Sequence, residues 1–492
     1  MNYYLGIDIG TTSVKAVAFS EQGQVIANFS FSYAIHHPHP NWSEQNPEEI
    51  FEAVIKGINK VVQTLSTDTP LFVSFSAAMH SLIAADDNGN LLTQCIIWAD
   101  NRADEIADTL RHSDKGQEFY RESGVPIHAM SPLCKLLWFK ENQPEIFNTA
   151  FKFTGIKEYI FNKLFGEYVI DTSIASATGL LNLKKLQWDE EIVKFVGISA
   201  SHLSQVVSAK HVLYYDGNYP GLSLPPNIPF VIGASDGALA NLGTGATGSN
   251  AMAITVGTSG AARVVVSAPE TDARMRTFCY HLKDNLYIAG GATNNGAVVL
   301  QWLKETLLQT DDDYEQLYEQ AQTIEAGCDG LLFLPYILGE RAPLWNSNAK
   351  GVYFGLTIEH TKAHLIRAAM EGVIFSLYSI GKILTEKKEI TEIYASGGFS
   401  KSALWLQILA DVFNVKVLVP AAVESTAFGA VILGAEALSI KTDFHNHTSA
   451  AYIPISNHYE IYKKYFEKFE RLYELLKGEM VHEAPTLKGE EK

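Results

Sequence analysis

Asp8 is the first group in this chain that could do chemistry: a carboxylate near the end of an apolar run, followed by Gly10-Thr11-Thr12. A glycine and hydroxyl turn between strands aims backbone N–H groups and hydroxyls at one point, which is how phosphates are gripped without a Walker sequence. The carboxylate suits a Mg²⁺ travelling with those phosphates, as in ATP. A related turn returns about 250 residues later as Ile254-Thr255-Val256-Gly257-Thr258-Ser259-Gly260, with Thr255 where the first copy has Asp8. The two halves therefore look alike in shape and unlike in charge. Either turn alone reads equally as a plain β-hairpin. What favours phosphates is their pairing at long range, with Phe230-Val231-Ile232-Gly233-Ala234-Ser235-Asp236-Gly237 between them. That run is an apolar strand ending in an aspartate among small residues, which let a substrate approach closely. Asp236 can be a general base, a helix N-cap, or both, because a helix N-terminus keeps a carboxylate ionised.

Two further runs carry groups suited to a polyol. Met79-His80 follows the strand-like Leu71–Ser76, and Trp98-Ala99-Asp100-Asn101-Arg102 follows Cys95-Ile96-Ile97. An indole face suits a carbon chain, and imidazole and carboxylate groups bond to hydroxyls. Core packing for Trp98 and a satisfied buried histidine for His80 are the competing readings. Lys15 either reaches a phosphate or is a solvated side chain, and Arg102, Lys157 and Arg341 either meet a ligand or form structural ion pairs.

Strands and helices must bring these groups together. Tyr3 to Ile35 reads as three strands with turns at Gly10 and Glu21-Gln22-Gly23, an antiparallel meander. The pattern predicts a helix over 47–64, with Asn46 as N-cap, Pro47 at its first position, Glu48 and Glu49 in its first turn, and Ile50, Phe51, Val54, Ile58 and Val61 on one face. Further strands are expected at Leu71–Ser76, Ala251–Val256, Leu286–Gly290 and into Gly397-Gly398, and helices at about 295–308, 402–413 and 462–476. Gly243 to Asn250 reads as a flexible connection. This is an α/β layout with a domain at 1–242, a second at 243–478 and a charged tail at 479–492.

Composition bounds the partners. The 492 residues are 47% hydrophobic and 19% charged, ordinary for a globular protein, and the net charge of −17 argues against wrapping nucleic acid or adhering to an anionic membrane. Four dispersed cysteines with no Cys-x-x-Cys pair suggest a reduced, cytoplasmic protein. No basic n-region opens the chain and no apolar run is read as long enough to span a membrane, so neither secretion nor insertion is expected.

The ordered motifs resemble those of the FGGY family of carbohydrate kinases. They are Asp8 to Lys15, Met130-Ser131-Pro132-Leu133-Cys134-Lys135-Leu136-Leu137-Trp138-Phe139, Gly233 to Gly237, Thr255 to Gly260, Gly351 through His364-Leu365 to Glu371, and Gly397-Gly398-Phe399. The resemblance implies two ribonuclease-H-like domains, as in actin-like ATPases, with the active site in a cleft between them. It also implies transfer of a phosphoryl group from ATP, with Mg²⁺, to a sugar or sugar acid. Asp236 is then the catalytic base, also contacting acceptor with Met79, His80, Trp98, Asp100 and Arg102. Gly10, Thr11, Thr12, Gly257, Thr258, Ser259, Gly296, Gly397, Gly398 and Ser402 receive the nucleotide, and Asp8 the metal. A homodimer is what the family suggests.

Within the family, Met79-His80 resembles xylulose kinases and departs from the Arg-Glu of glycerol kinases. The runs Ser76–Ser81, Trp98–Arg102, Gly155–Ile160, Asp171–Ala177 and Gly339–Trp345 resemble the gluconate-phosphorylating branch more closely. Xylulose remains the alternative acceptor. An actin-like nucleotide switch or a sugar sensor without catalysis is the alternative of another class.

Overall fold

Period-two alternation after Asn2 yields β1 (Tyr3–Ile9), β2 (Ser13–Phe19) and β3 (Val25–Ser32), paired antiparallel as expected. The computed structural model describes residues 2–66, 68–386, 388–421, 424–442, 444 and 447–480. The charged tail beyond Met480 lies outside the described residues. The chain divides into one unit of Met1–Ser249, Val264–Ala289 and Ala421–His447, and another of Asn250–Arg263, Gly290–Pro420 and Thr448–Lys492.

In the first unit β4 (Pro70–Ala77), β5 (Val212–Tyr214) and β6 (Pro229–Ser235) complete a six-stranded sheet ordered β5-β6-β4-β1-β2-β3. β1 and β6 run parallel to β4, so both faces must be covered. Leu5, Ile7, Ile9, Val73 and Phe75 share a core with Ile50, Val54 and Ile58 of the helix Pro47–Thr64. That helix has the expected bounds, and the Asn46 side chain accepts from Glu48 N at 3.0 Å. Alternate residues Tyr4 and Phe72 face Ala427, Phe428 and Val431 of the helix Ser425–Ala437.

Two local expectations near Asp236 are corrected. The helix Asp236–Thr244 is capped by Ser235, whose side chain accepts from Ala238 N, so Asp236 is its first helical residue and not the cap. Gly243 belongs to that helix and not to a flexible connection, because a Cβ there would lie 1.8 Å from Ser425 O. Gly429 meets Leu239 O in the same way, at 2.0 Å, and the two glycines let the helices touch backbone to backbone.

In the second unit β7 (Ala251–Val256), β8 (Gly260–Val266), β9 (Glu392–Ser396), β10 (Lys416–Pro420) and β11 (Thr448–Tyr452) lie in the order β8-β7-β9-β10-β11. β7, β9 and β10 are parallel. The strand expected at Leu286 continues to Thr293. The helix expected over 295–308 is α-helical only over Val298–Trp302 and π-helical over Leu303–Leu307. It starts late because the N–H groups of Gly296 and Ala297 bond to Thr258 O and Gly257 O, 3.1 and 2.7 Å away, and not to helical carbonyls. Ser402 caps the helix Ala403–Phe413 from outside, and the final helix runs over Ser456–Leu476, longer than expected at its start. The helix Lys362–Thr385 is long and apolar enough to span a membrane, contrary to the reading of the sequence, but 67% of its apolar window is buried in the protein. It is a core helix of this unit, covering Leu332–Pro335.

Gly233 fixes the end of β6. Its φ is +72°, the β6–β4 register shifts between Val231 and Ala234, and a Cβ would sit 1.7 Å from Phe75 O. Gly233→Ala is expected to cost at least about 3 kcal/mol, from left-handed strain plus overlap. The urea midpoint should fall at constant m-value; an unchanged midpoint would mean that the strand end can rearrange without loss.

Candidate active site

Three parallel strands of the first unit end at one level. Register sets Asp8 of β1 opposite Ser76 of β4 and Ala234 of β6 opposite the same serine, and Asp236 follows at the next turn. Ligands of α/β sheets gather at such carboxyl ends. The Asp8 carboxyl is pushed up to about 6, first by burial and then by the charge of Asp236, with Glu424 adding and the neighbouring Ser76 hydroxyl and Lys15 opposing. Its Oδ1 is buried and has no hydrogen-bond partner among the described residues. A desolvated, unpartnered carboxylate oxygen beside a second carboxylate fits a divalent cation. Asp236 accepts from Gly237 N at 2.6 Å, and Lys157 braces the strand before it, bonding Ala234 O at 3.2 Å and Asp171 at 2.6 Å.

The β1–β2 turn is closed by Gly10 N donating to Ser13 O at 3.0 Å. It is also held from outside: Tyr33 Oη donates to Gly10 O, Gln45 Nε2 to Thr11 O at 2.5 Å, and Trp98 Nε1 to Thr11 Oγ1 at 2.9 Å. Thr12 is exposed at the tip. Lys15 pairs with Glu424 at 2.8 Å, so it is bound to a carboxylate within the unit.

The acceptor candidates separate into a lining and its frame. Met79 and Trp98 line one recess with Gly10, Thr11 and Ser81. His80 adopts φ +71°, and its Nδ1 lies 2.8 Å from Ala177 O. A carbonyl only accepts, so Nδ1 carries the proton and Nε2 is the acceptor of the neutral ring. Asp100 and Arg102 form the frame. Asp100 is buried and accepts from Ser43 N at 2.7 Å and from Arg102 Nε and Nη2 at 2.8 and 2.9 Å. Arg102 also pairs with Glu44 at 2.5 Å and stacks 3.7 Å over the Trp42 ring.

In the second unit the 257–259 turn is seated on the start of the helix that follows Gly296. A Cβ on Gly296 would lie 2.5 Å from Ser259 O and 2.6 Å from Gly257 O, so only glycine lets the two segments meet. Thr255 Oγ1 accepts from Arg263 Nη2 at 3.0 Å and bonds Ser396 Oγ at 3.0 Å. Gly397, at φ +99°, would drive a Cβ to 2.4 Å from Val256 O, whereas a Cβ on Gly398 would meet open space. Gly398 is thus an open edge beside the phosphate turn. Ser402 is buried and its Oγ accepts from Trp405 N, so it holds the helix that flanks that edge.

Residues 3–243 match the N-terminal domain of the FGGY family of carbohydrate kinases, and residues 252–438 its C-terminal domain. The chain belongs to the FGGY family of carbohydrate kinases. A gluconokinase of Bacillus licheniformis is 47% identical over 448 residues, 88% of this chain and 87% of that protein. The crystal structure of a gluconate kinase from Lactobacillus acidophilus superposes with a TM-score of 0.92 at 36% identity, covering 96% of this chain and 98% of that one. A ligand-bound xylulose kinase from the same organism gives 0.94 at 35% identity, covering 98% and 100%. The mixed α/β, two-domain fold of the FGGY kinases is therefore that of this chain.

Several residues of this FGGY kinase escape sequence reasoning. Tyr33, Gln45 and Glu424 act on the first turn from 23, 34 and 409 residues away from their respective partners. Glu340 is buried and accepts from Thr293 Oγ1 at 2.6 Å, Ser376 Oγ at 3.0 Å and Asn294 N at 3.1 Å; with Arg341 Nη2 donating to Thr293 O, the Glu340-Arg341 pair braces the second unit. Lys135, inside a quoted motif, gave no chemical signal because nothing in its neighbours indicates a buried ammonium.

Asp8 predicts a trade between stability and activity. Its folded pKa lies above the ordinary carboxylate value, so folding gains stability as pH falls through about 6 and bears the cost of a buried charge above it. In metal-free buffer Asp8→Asn should raise Tm at pH 7.5 and raise it less at pH 5, and in a separate assay with Mg-ATP it should lose kinase activity. Calorimetry at both pH values checks this; a lower Tm at pH 7.5 would mark Asp8 as a structural anchor of the turn.

Proposed function

We propose that this FGGY kinase transfers the γ-phosphoryl group of ATP to the terminal hydroxyl of D-gluconate, giving 6-phospho-D-gluconate. The observation that carries the reading is the 47% identity to a gluconokinase over 88% of the chain. Phosphoryl transfer leaves the protein little covalent work; it must align the hydroxyl and stabilise charge. Asp236 accepts the hydroxyl proton as the oxygen attacks phosphorus and ADP leaves. Bound Mg²⁺ supplies charge neutralisation on the phosphates, and Asp8 is the residue that would hold it.

Gluconate brings a carboxylate that a ketopentose lacks, and such a group calls for donors. Lys157 and Arg102 are committed to Asp171 and to Asp100 and Glu44. We assign His80 to the acceptor's polar end through Nε2, which donates to a carboxylate only in the imidazolium form, with Trp98 and Met79 against the carbon chain. The N–H groups of Gly10 and Gly257 close their own turns, so Thr11-Thr12 and Thr258-Ser259 are the segments that offer hydroxyls and N–H groups to the phosphates, and Gly397-Gly398 offers a flat edge to the adenosine. Xylulose is the second reading, supported by the TM-score of 0.94 to a xylulose kinase. Cytoplasmic location and a homodimer are part of the proposal and are tested by fractionation and by light scattering.

An ADP-release assay with Mg-ATP across D-gluconate, D-xylulose, L-ribulose, glycerol and no acceptor tests the assignment. We expect kcat/KM for gluconate to exceed that for xylulose by at least about tenfold; the reverse order would move the assignment to xylulose. Asp236→Asn should lower kcat by roughly 10²- to 10⁴-fold while ATP still binds. Unchanged turnover in that variant would remove Asp236 as base, and a wild type inert to all acceptors would favour a nucleotide switch.

A further inference from the structure

Lys135 lies on the helix Pro132–Asn142 and is wholly buried. Its Nζ donates to three backbone carbonyls: His80 O at 2.6 Å, Ile97 O at 2.8 Å and Ile96 O at 3.2 Å. An ammonium has three N–H donors and no acceptor, so these three carbonyls match it completely. They come from two neighbouring segments, the one carrying Met79 and His80 and the one running into Trp98 and Asp100; backbone bonds between Leu82 and Ile96 pair these segments at one point, and the ammonium joins them again at His80 and Ile97. Burying an ammonium is costly, and its placement at this junction suggests a task that an apolar side chain could not perform.

The geometry at His80 indicates that task. A residue with a Cβ rarely adopts φ +71°, and His80 is held there at both ends, by its ring on Ala177 O and by its carbonyl on Lys135. On the other loop, the carbonyls of Ile96 and Ile97 precede Trp98, whose indole donates to Thr11 in the first phosphate turn. We propose that Lys135 is a positioning residue for acceptor recognition: one ammonium ties the His80 loop to the Trp98 loop and sets the spacing between the groups that read the sugar. The inference rests on the acceptor reading given above. Burial lowers the Lys135 pKa and Arg102 adds to this, while the charge of Asp100 and the three carbonyls that accept its N–H groups favour the ammonium.

The test compares KM for acceptor with KM for ATP in wild type, Lys135→Met and Lys135→Arg. Methionine preserves length and removes all three donors. We expect acceptor KM to rise at least about tenfold while ATP KM stays within about twofold, since His80 loses its anchor whereas the first turn keeps its bonds to Ser13, Tyr33 and Gln45 even if Trp98 shifts. Arginine keeps the charge, but its planar fork cannot meet three converging carbonyls, so acceptor KM should rise here too, by less. A merely structural lysine would lower Tm and the active fraction without separating the two KM values. Folded Lys135→Met with acceptor KM near wild type, or with both KM values raised together, overturns the proposal. If Lys135→Met does not fold, Lys135→Arg carries the same comparison, and an unchanged acceptor KM in it is equally decisive. A wild type that prefers another acceptor defeats the gluconate assignment alone; the KM comparison is then made on that acceptor, so the two failures appear in different proteins.

Discussion

The first unit depends on how closely β6 approaches β4. Three strand ends must stop at one level for Asp8, Ser76 and Asp236 to share a site, and two of them are joined by the register across Ser76. Gly233 permits this by folding backbone into the space a side chain would need, 1.7 Å from Phe75 O. The bulge shifts the register by the amount that carries Asp236 out of the sheet and onto the first turn of a helix. That helix in turn reaches the helix Ser425–Ala437 through Gly243 and Gly429, which brings Glu424 to Lys15. Close backbone contacts at Gly233, Gly243 and Gly429 thus link the strand end before Asp236 to the helix Ser425–Ala437, and the Glu424–Lys15 ion pair carries the link to the strand after the Gly10 turn.

Charge in this region is used mostly as framework. Asp100 with Arg102, and Asp171 with Lys157, are buried pairs in which nearly every polar atom has a partner. Such pairs add little net stability over apolar replacements, but breaking one leaves an uncompensated charge and is expensive. Their value is geometric: Arg102, flat on Trp42, fixes Asp100 and through Ser43 N the segment that pairs with Cys95-Ile96. Asp8 differs, because its oxygen is left unpartnered and its pKa is raised. The contrast separates carboxylates neutralised within the protein from one that bears an uncompensated cost of burial.

Much of this was legible in the sequence because it is local. Asn46-Pro47-Glu48-Glu49 states a helix start without reference to the rest of the chain, and β1 to β3 follow from alternation alone. Asp8, Asp236 and the glycine turns were legible because their residue types are uncommon at strand ends. The misread parts depend on distant partners. Gly243 looked like a linker because its helical role is set by Ser425, and the helix after Gly296 began late because its first N–H groups serve the 257–259 turn. Arg102 read equally as a ligand contact or a structural ion pair, and its partners Glu44 and Trp42 lie too far back in sequence to be inferred. Lys135 was invisible for the same reason: a buried ammonium is recognised only by the carbonyls that converge on it.

The difference between the two phosphate turns follows from what each must face. Position 8 carries a carboxylate and position 255 a threonine, although the surrounding turns share their glycine and hydroxyl pattern. In the second unit the Thr255 hydroxyl is tied to Ser396 and Arg263, so that strand end presents hydroxyls and a guanidinium. Such a lining is compatible with phosphates directly, through dipoles and a cation, without help from a metal. In the first unit two carboxylates and Glu424 act on one another, and an anion could approach only with its charge offset by a bound cation. A protein with net charge −17 cannot attract a nucleotide by its overall field. It must do so locally, and a neutral hydroxyl at position 255, where the first turn has a carboxylate, removes one charge that would repel an anion there.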